Sequence, residues 1–126
     1  MPGWLQITMV GAGGAIGAVL RFLLQYCFST CSHRQWATVA VNLAGSALIG
    51  SAWALAGRYG PSLWLNQWLI AGLLGGFTTY STFAWDSFDL LRNGRTAEAI
   101  AYMTVTLAGG LIFCALAFNC TEKLLK

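Results

Sequence analysis

The sequence predicts an all-α membrane protein with four transmembrane helices, and three observations carry that expectation. Apolar residues make up 57% of the 126, while seven Lys/Arg and four Asp/Glu leave only 9% charged. An ordinary soluble domain is about 25% charged, and one of this size could not cover its surface with so few charges. Mean hydropathy is +0.63. Apolar stretches near the roughly 20 residues that cross a bilayer recur four times between polar turns. Four such spans take up about 80 residues and leave about 46 for turns and ends. The expectation is therefore a single four-helix transmembrane domain over 1–126, with the lipid bilayer as its solvent.

The first span runs from Trp4 to Phe28 and carries Gly11, Gly13, Gly14 and Gly17. Gly13 and Gly17 have the four-residue spacing that lets helix backbones approach closely in lipid. MPGWLQ holds no Lys or Arg, and the apolar run continues past Ala18, so a removable signal peptide is not expected. Residues 29–35 form a polar turn. The second span runs from Trp36 to Gly57 and carries Asn42 in its first third. Gly60-Pro61 breaks the chain after it. The third span, Leu63 to Leu91, is too rich in glycine and hydroxyls at its centre to be one plain helix. RNGR at 92–95 is a tight turn, and the fourth span runs from Thr96 to Ala117, followed by a short tail.

Short connections give an up-and-down bundle with both termini on one side. Arg58, Lys123 and Lys126 then lie on the terminal side, and Arg34, Arg92 and Arg95 on the other. Positive charge normally fixes orientation. Here three cations face three, which predicts a chain that inserts both ways and pairs antiparallel with itself, unless Arg21 or the free amino terminus breaks the tie.

Net charge is +3, but the cations are scattered and form no stripe for nucleic acid. Disorder and a secreted disulfide scaffold are excluded by composition. Cys27, Cys31, Cys114 and Cys120 lie in or beside apolar stretches and read as small packing residues. Cys27 and Cys31 stand one turn apart, but His33 is the only histidine, and no His/Cys pair completes a metal set.

Polar side chains at membrane depth usually face a partner or a water path. Thr38, Asn42 and Ser46 recur every four residues on one face of the second span. Tyr102 and Thr106 do the same in the fourth, with Gly110 and Cys114 continuing the row. All offer hydrogen-bond donors or small size without charge. A hydroxyl can instead bond its own helix carbonyl four residues back. Asn42 has two amide donors to satisfy.

The densest segment is GLLGGFTTYSTF at 72–83. Two glycines followed by Thr78, Thr79, Ser81 and Thr82 predict a broken helix. Non-helical backbone at this depth is tolerated only inside protein or beside water. Such a break frees carbonyl oxygens that can hold a small hard cation. Tyr80 and Phe83 would share a face, and ring edges carry partial positive charge that can attract an anion; packing alone would also account for them. Arg21 either snorkels to the interface or enriches anions at a vestibule. Asp86, one turn past Phe83, would cap or pair there.

GAVLR at 17–21, ATVAVNLAGSALIG at 37–50 and GGFTTYSTF at 75–83 resemble the fluoride channels of the CrcB/Fluc family. The resemblance covers nearly the whole chain in length, layout and motif order. It implies a dual-topology antiparallel homodimer with two pores that passively exports cytoplasmic fluoride across the cell membrane, as in prokaryotes. It implies Asn42 as the pore asparagine, Tyr80 and Phe83 as the two rings of the pathway, and Ser81 and Thr82 as adjacent hydroxyls. Tyr102 and Thr106 match the polar track of the fourth helix. Arg21 and Asp86 match vestibule positions. A sodium ion at the dimer interface would be held by the backbone carbonyls of Gly75 and Thr78 from each subunit. The chain departs from the family pattern at Tyr80, usually Phe; at Asp86, commonly Glu; and at Gly110 and Cys114, often hydroxyl-bearing. A heterodimeric partner stays open as an alternative.

Two rivals differ in class. A small four-span multidrug or cationic-compound exporter would want a membrane-embedded acid in the first span, which has none. An accessory packing subunit would not need Asn42 or a broken third span. No nucleophile–base pair points to an enzyme.

Overall fold

The computed structural model describes residues 1–29 and 34–126. Cys31 and His33, with the centre of the expected 29–35 turn, lie outside the described residues. The described chain is helical throughout apart from its turns, and the expected four-span layout is present: α1 (Trp4–Cys27), α2 (Gln35–Tyr59), a divided third span, and α5 (Thr96–Leu124). The third span comprises α3, which begins as a wide helix over Trp64–Leu74 and continues as an ordinary turn over Gly75–Phe77, and then α4 (Tyr80–Arg92). Three helices, α1, α2 and α5, are each long and apolar enough to cross a membrane.

Helix boundaries follow local chemistry. Gly60, with φ of 82°, terminates α2 and gives its amide to Ala56 O at 2.9 Å; Pro61 follows and cannot continue the helix. At the 92–95 turn, Gly94 takes φ of 73°. Its amide donates to Leu91 O at 3.1 Å, and that of Arg95 donates to Leu90 O at 2.9 Å. These are the two bonds of a Schellman end, which glycine adopts without a Cβ penalty. α5 continues to Leu124, beyond the expected stop at Ala117. No Gly or Pro interrupts it there, and Thr121 bonds Ser51 of α2 at 3.0 Å.

The wide turns of α3 have no counterpart in the sequence pattern. Its closing amide, on Gly75, reaches Ile70 O five residues back. Helices of this kind are rare and are frequently found at functional sites. Here α3 lies backbone to backbone against α1. A Cβ at Gly13 would run into Trp68 O, one at Gly17 into Leu73 O, and one at Gly76 into Gly14 O. The close approach expected from Gly13 and Gly17 is thus made, and α3 answers it with Gly72 and Gly76.

The most extensive packing joins α2 to α5. Gly50 sits on the Cys114 backbone, and Leu43 covers Gly109. One core cluster, Val39, Phe83, Leu90, Ala99 and Tyr102, ties α2, α4 and α5 together. Another, Ala52, Leu65, Ile70 and Leu74, ties α2 to α3. Large apolar side chains elsewhere, including Leu20, Phe22, Leu107 and Leu111, face outward, as lipid-facing or partner-facing side chains do in a membrane protein.

Candidate functional site

The break between α3 and α4 lies against α2 and is held open by side chains. Thr78 (ψ 159°) and Thr79 (φ −146°, ψ 122°) are extended. In a continuous helix the Thr79 amide would bond Gly75 O; instead it donates to Asn42 Oδ1 at 2.8 Å. Asn42 Nδ2 in turn donates to Thr79 O at 3.0 Å. The Thr82 amide would bond Thr78 O; instead it donates to Thr79 Oγ1 at 3.2 Å, which makes Thr79 the N-cap of α4. Two carbonyls, those of Gly75 and Thr78, thereby lose their helical donors. They are the two that the sequence resemblance assigned to a cation. Arg21 Nη1 approaches Thr78 O at 3.4 Å.

Gly45 allows the break this close to α2, since a Cβ there would meet the Thr78 methyl. The Thr78 hydroxyl donates back to Leu74 O at 3.1 Å, and that of Thr106 to Tyr102 O at 2.7 Å. Both follow the self-bonding pattern that helical hydroxyls favour.

A groove of about 560 Å³ runs from the break down between α2 and α5. Asn42, Gly75, Thr78, Tyr80, Phe83 and Thr106 line it, together with Ser46, Gly110 and Cys114. Tyr80 and Phe83 share a face of α4 as expected, with ring centroids 5.9 Å apart. Phe83 is buried, whereas Tyr80 is 78% exposed.

A second cavity of about 330 Å³ opens on the far side of the break. Asp86, Thr38, Thr82, Gln25 and Arg34 line it. Asp86 Oδ2 accepts from Thr38 Oγ1 and from the Tyr102 hydroxyl, each at 3.1 Å. Gln25 Nε2 donates to Thr38 Oγ1 at 3.4 Å. The row Thr38, Asn42 and Ser46 on α2 therefore spans the two spaces, Thr38 lining the second cavity and Asn42 and Ser46 lining the groove.

Most of the expected site residues converge on these two spaces, but three do not line either one. Tyr102 is 0% exposed. It stacks on Phe83 at 5.5 Å and meets Trp36 edge-on at 6.3 Å, behind the groove wall. Ser81 is exposed, and its hydroxyl lies 3.5 Å from Thr79 Oγ1. Arg21 reaches the break, and the cation lining the second cavity is Arg34, which had entered only the balance of charges between the two sides. Thr79, the hinge of the break, also escaped selection. Its signal was the hydroxyl run Thr78, Thr79, Ser81 and Thr82 that predicts the break.

The family model described as "CrcB-like protein, Camphor Resistance (CrcB)" matches residues 8–118. The chain is 38% identical over 113 residues to a "Fluoride-specific ion channel FluC" of Leptospira interrogans, covering 86% of this chain and 87% of that protein. It is 40% identical over 113 residues to a protein of the same description from Bordetella avium, covering 89% of each. A third, from Salinibacter ruber, is 34% identical over 123 residues, covering 96% of this chain and 92% of that protein.

Proposed function

The chain belongs to the CrcB-like family, and on that premise we propose that it is a passive, fluoride-selective channel of the cell membrane, exporting cytoplasmic fluoride as a dual-topology homodimer with two pores. The observation that carries this reading is the groove beside the break, lined by uncharged donors and a ring pair at membrane depth. A small, strongly hydrated anion needs replacements for its water. It must also leave again, which favours weak donors over a fixed ammonium. The Asn42 amide keeps one N–H beyond its bond to Thr79 O. Tyr80 and Phe83 line the same groove.

Pairing with a second copy is supported by what the single chain leaves uncovered. Gly75 and Tyr80 lie on the outer face of the break. A carbonyl without its helical donor is costly against hydrocarbon and is tolerated only against protein or water. An antiparallel copy, allowed by the balanced charges, would cover that face and close the groove into a pathway.

The freed carbonyls of Gly75 and Thr78 fit a sodium site. They are uncharged oxygen donors, suited to a hard monovalent cation, and neither is engaged by its usual helical amide. Bound there, sodium would supply positive charge that neutralises the bare oxygens where two copies meet. Arg21 shares the Thr78 carbonyl, which has a second lone pair to offer.

The test is reconstitution of the purified chain alone in liposomes, with fluoride efflux read by electrode and chloride as the control. Rapid fluoride loss with chloride retained is expected. Silence toward both ions from a folded dimer would favour the heterodimeric alternative, and equal passage of both would end the selectivity claim.

A further inference from the structure

The aliphatic hydroxyls of the groove are engaged with one exception. Thr78 and Thr106 donate to their own helices, and Thr79 donates to Thr82 Oγ1 at 3.2 Å. Ser46 has no hydrogen-bond partner among the described residues, although the Asn42 carbonyl, four residues back, is the usual acceptor for such a group. It lies one helical turn from Asn42, about 6 Å along the axis, and lines the same groove.

The opposite wall explains its position. On α5 the row Tyr102, Thr106, Gly110 and Cys114 faces α2, yet it offers no free strong donor. The Tyr102 hydroxyl is bonded to Asp86 and that of Thr106 to Tyr102 O. Gly110 has no side chain, and a thiol is a weak donor. A Cβ built on Gly110 would stand 3.3 Å from Ser46 Oγ. The serine hydroxyl thus stands directly against the place that a side chain at 110 would fill.

Resting on the fluoride reading above, we propose that Ser46 is an anion-coordinating residue of the pathway, the next donor an ion meets after Asn42. Beyond it the groove walls include Ile49 and Leu111, which offer an anion nothing. An unpartnered O–H at this point shortens the donorless stretch by one helical turn. Its freedom from the helix carbonyl leaves the proton available to the ion.

Fluoride efflux from liposomes holding the full chain tests this, with chloride as control and melting temperature measured on the same preparations. Ser46→Ala should slow fluoride efflux about tenfold, the scale of one lost hydrogen bond to a charged group, with melting temperature unchanged. Adding Gly110→Ser to Ser46→Ala should restore most of the flux, because it returns a hydroxyl close to the lost one from the opposite wall. Undiminished flux in Ser46→Ala, beside an active parent, overturns the proposal and leaves the fluoride reading standing. So does a flux loss that tracks a fall in melting temperature, or one that Gly110→Ser fails to relieve. A parent that passes no fluoride overturns both, since Ser46 would then have no ion to coordinate.

Discussion

The Asn42 side chain closes a two-bond ring on the backbone of Thr79, receiving its amide at 2.8 Å and donating to its carbonyl at 3.0 Å. One residue on α2 thereby supplies both partners that a broken helix lacks. The same bonds divert the amide that would otherwise cover Gly75 O. Asn42 is thus both the latch of the break and part of the groove wall.

Asn42→Asp separates those roles from mere size. A carboxylate can still accept the Thr79 amide but cannot donate to Thr79 O, and it sets negative charge beside the groove. Fluoride efflux should fall more than a hundredfold. Stability in detergent should drop by about 1–3 kcal/mol from the unpaired carbonyl. Flux near that of the parent would remove Asn42 from the pathway.

Thr79→Ala removes the N-cap of α4 while leaving the Asn42 contacts, which use only the backbone. The expected cost is about 1 kcal/mol, read as a lower melting temperature. Thr79→Ser keeps the oxygen that accepts the Thr82 amide and should lie close to the parent. Equal effects from both substitutions would show that the methyl group, not the cap, matters.

Gly17→Ala and Gly11→Ala lie less than two turns apart on one helix and should behave oppositely. A methyl at Gly17 strikes the Leu73 carbonyl, whereas Gly11 faces open space. Backbone cannot rotate aside as a side chain can, so Gly17→Ala is expected to cost about 1–3 kcal/mol or prevent assembly. Gly11→Ala should be neutral or slightly stabilising. Thermal melts of the two purified variants decide this.

The legible and illegible parts of this chain divide by range. The four spans, the break near Gly75–Thr79 and the shared face of Tyr80 and Phe83 follow from local composition and spacing, and all are present. The small-residue spacing of Gly13 and Gly17 announced a close helix contact without naming Gly72 and Gly76 as its other side. What the sequence hid were partners. Asn42 and Thr79 are 37 residues apart, and Tyr102 and Asp86 are 16. Which donor meets which acceptor depends on how the break opens, and residue spacing does not encode that. The wide turns of Trp64–Leu74 were hidden as well, because this mostly apolar segment, with only Asn66 and Gln67 polar, has too little period to distinguish one helix width from another.

Asp86 accepts from Thr38 and Tyr102 together, so truncating it leaves two donors without an acceptor. Asp86→Ala and Tyr102→Phe should each destabilise by about 1–3 kcal/mol, yet the double variant should fall short of their sum by about 1 kcal/mol, the signature of a shared bond. Asp86→Asn keeps an acceptor oxygen and should retain most of the stability. Strict additivity in this cycle would mean that the 3.1 Å contact carries no energy of its own.

Arg21 and a sodium ion would compete for the charge on one oxygen, Thr78 O, which the guanidinium already approaches at 3.4 Å. Two cations sharing an acceptor repel, and in a site shielded from water that repulsion is stronger than at a surface. Replacing sodium with a large organic cation should therefore lower the melting temperature of the assembled protein after long equilibration. Arg21→Gln keeps a donor to the carbonyl but drops the charge. It should shift the sodium concentration needed for half of that stabilisation downward several-fold. A shift upward would mean instead that the arginine holds the carbonyl in its coordinating position. Indifference of both proteins to the exchange would remove sodium from Gly75 and Thr78 and leave Arg21 as the only cation serving the break.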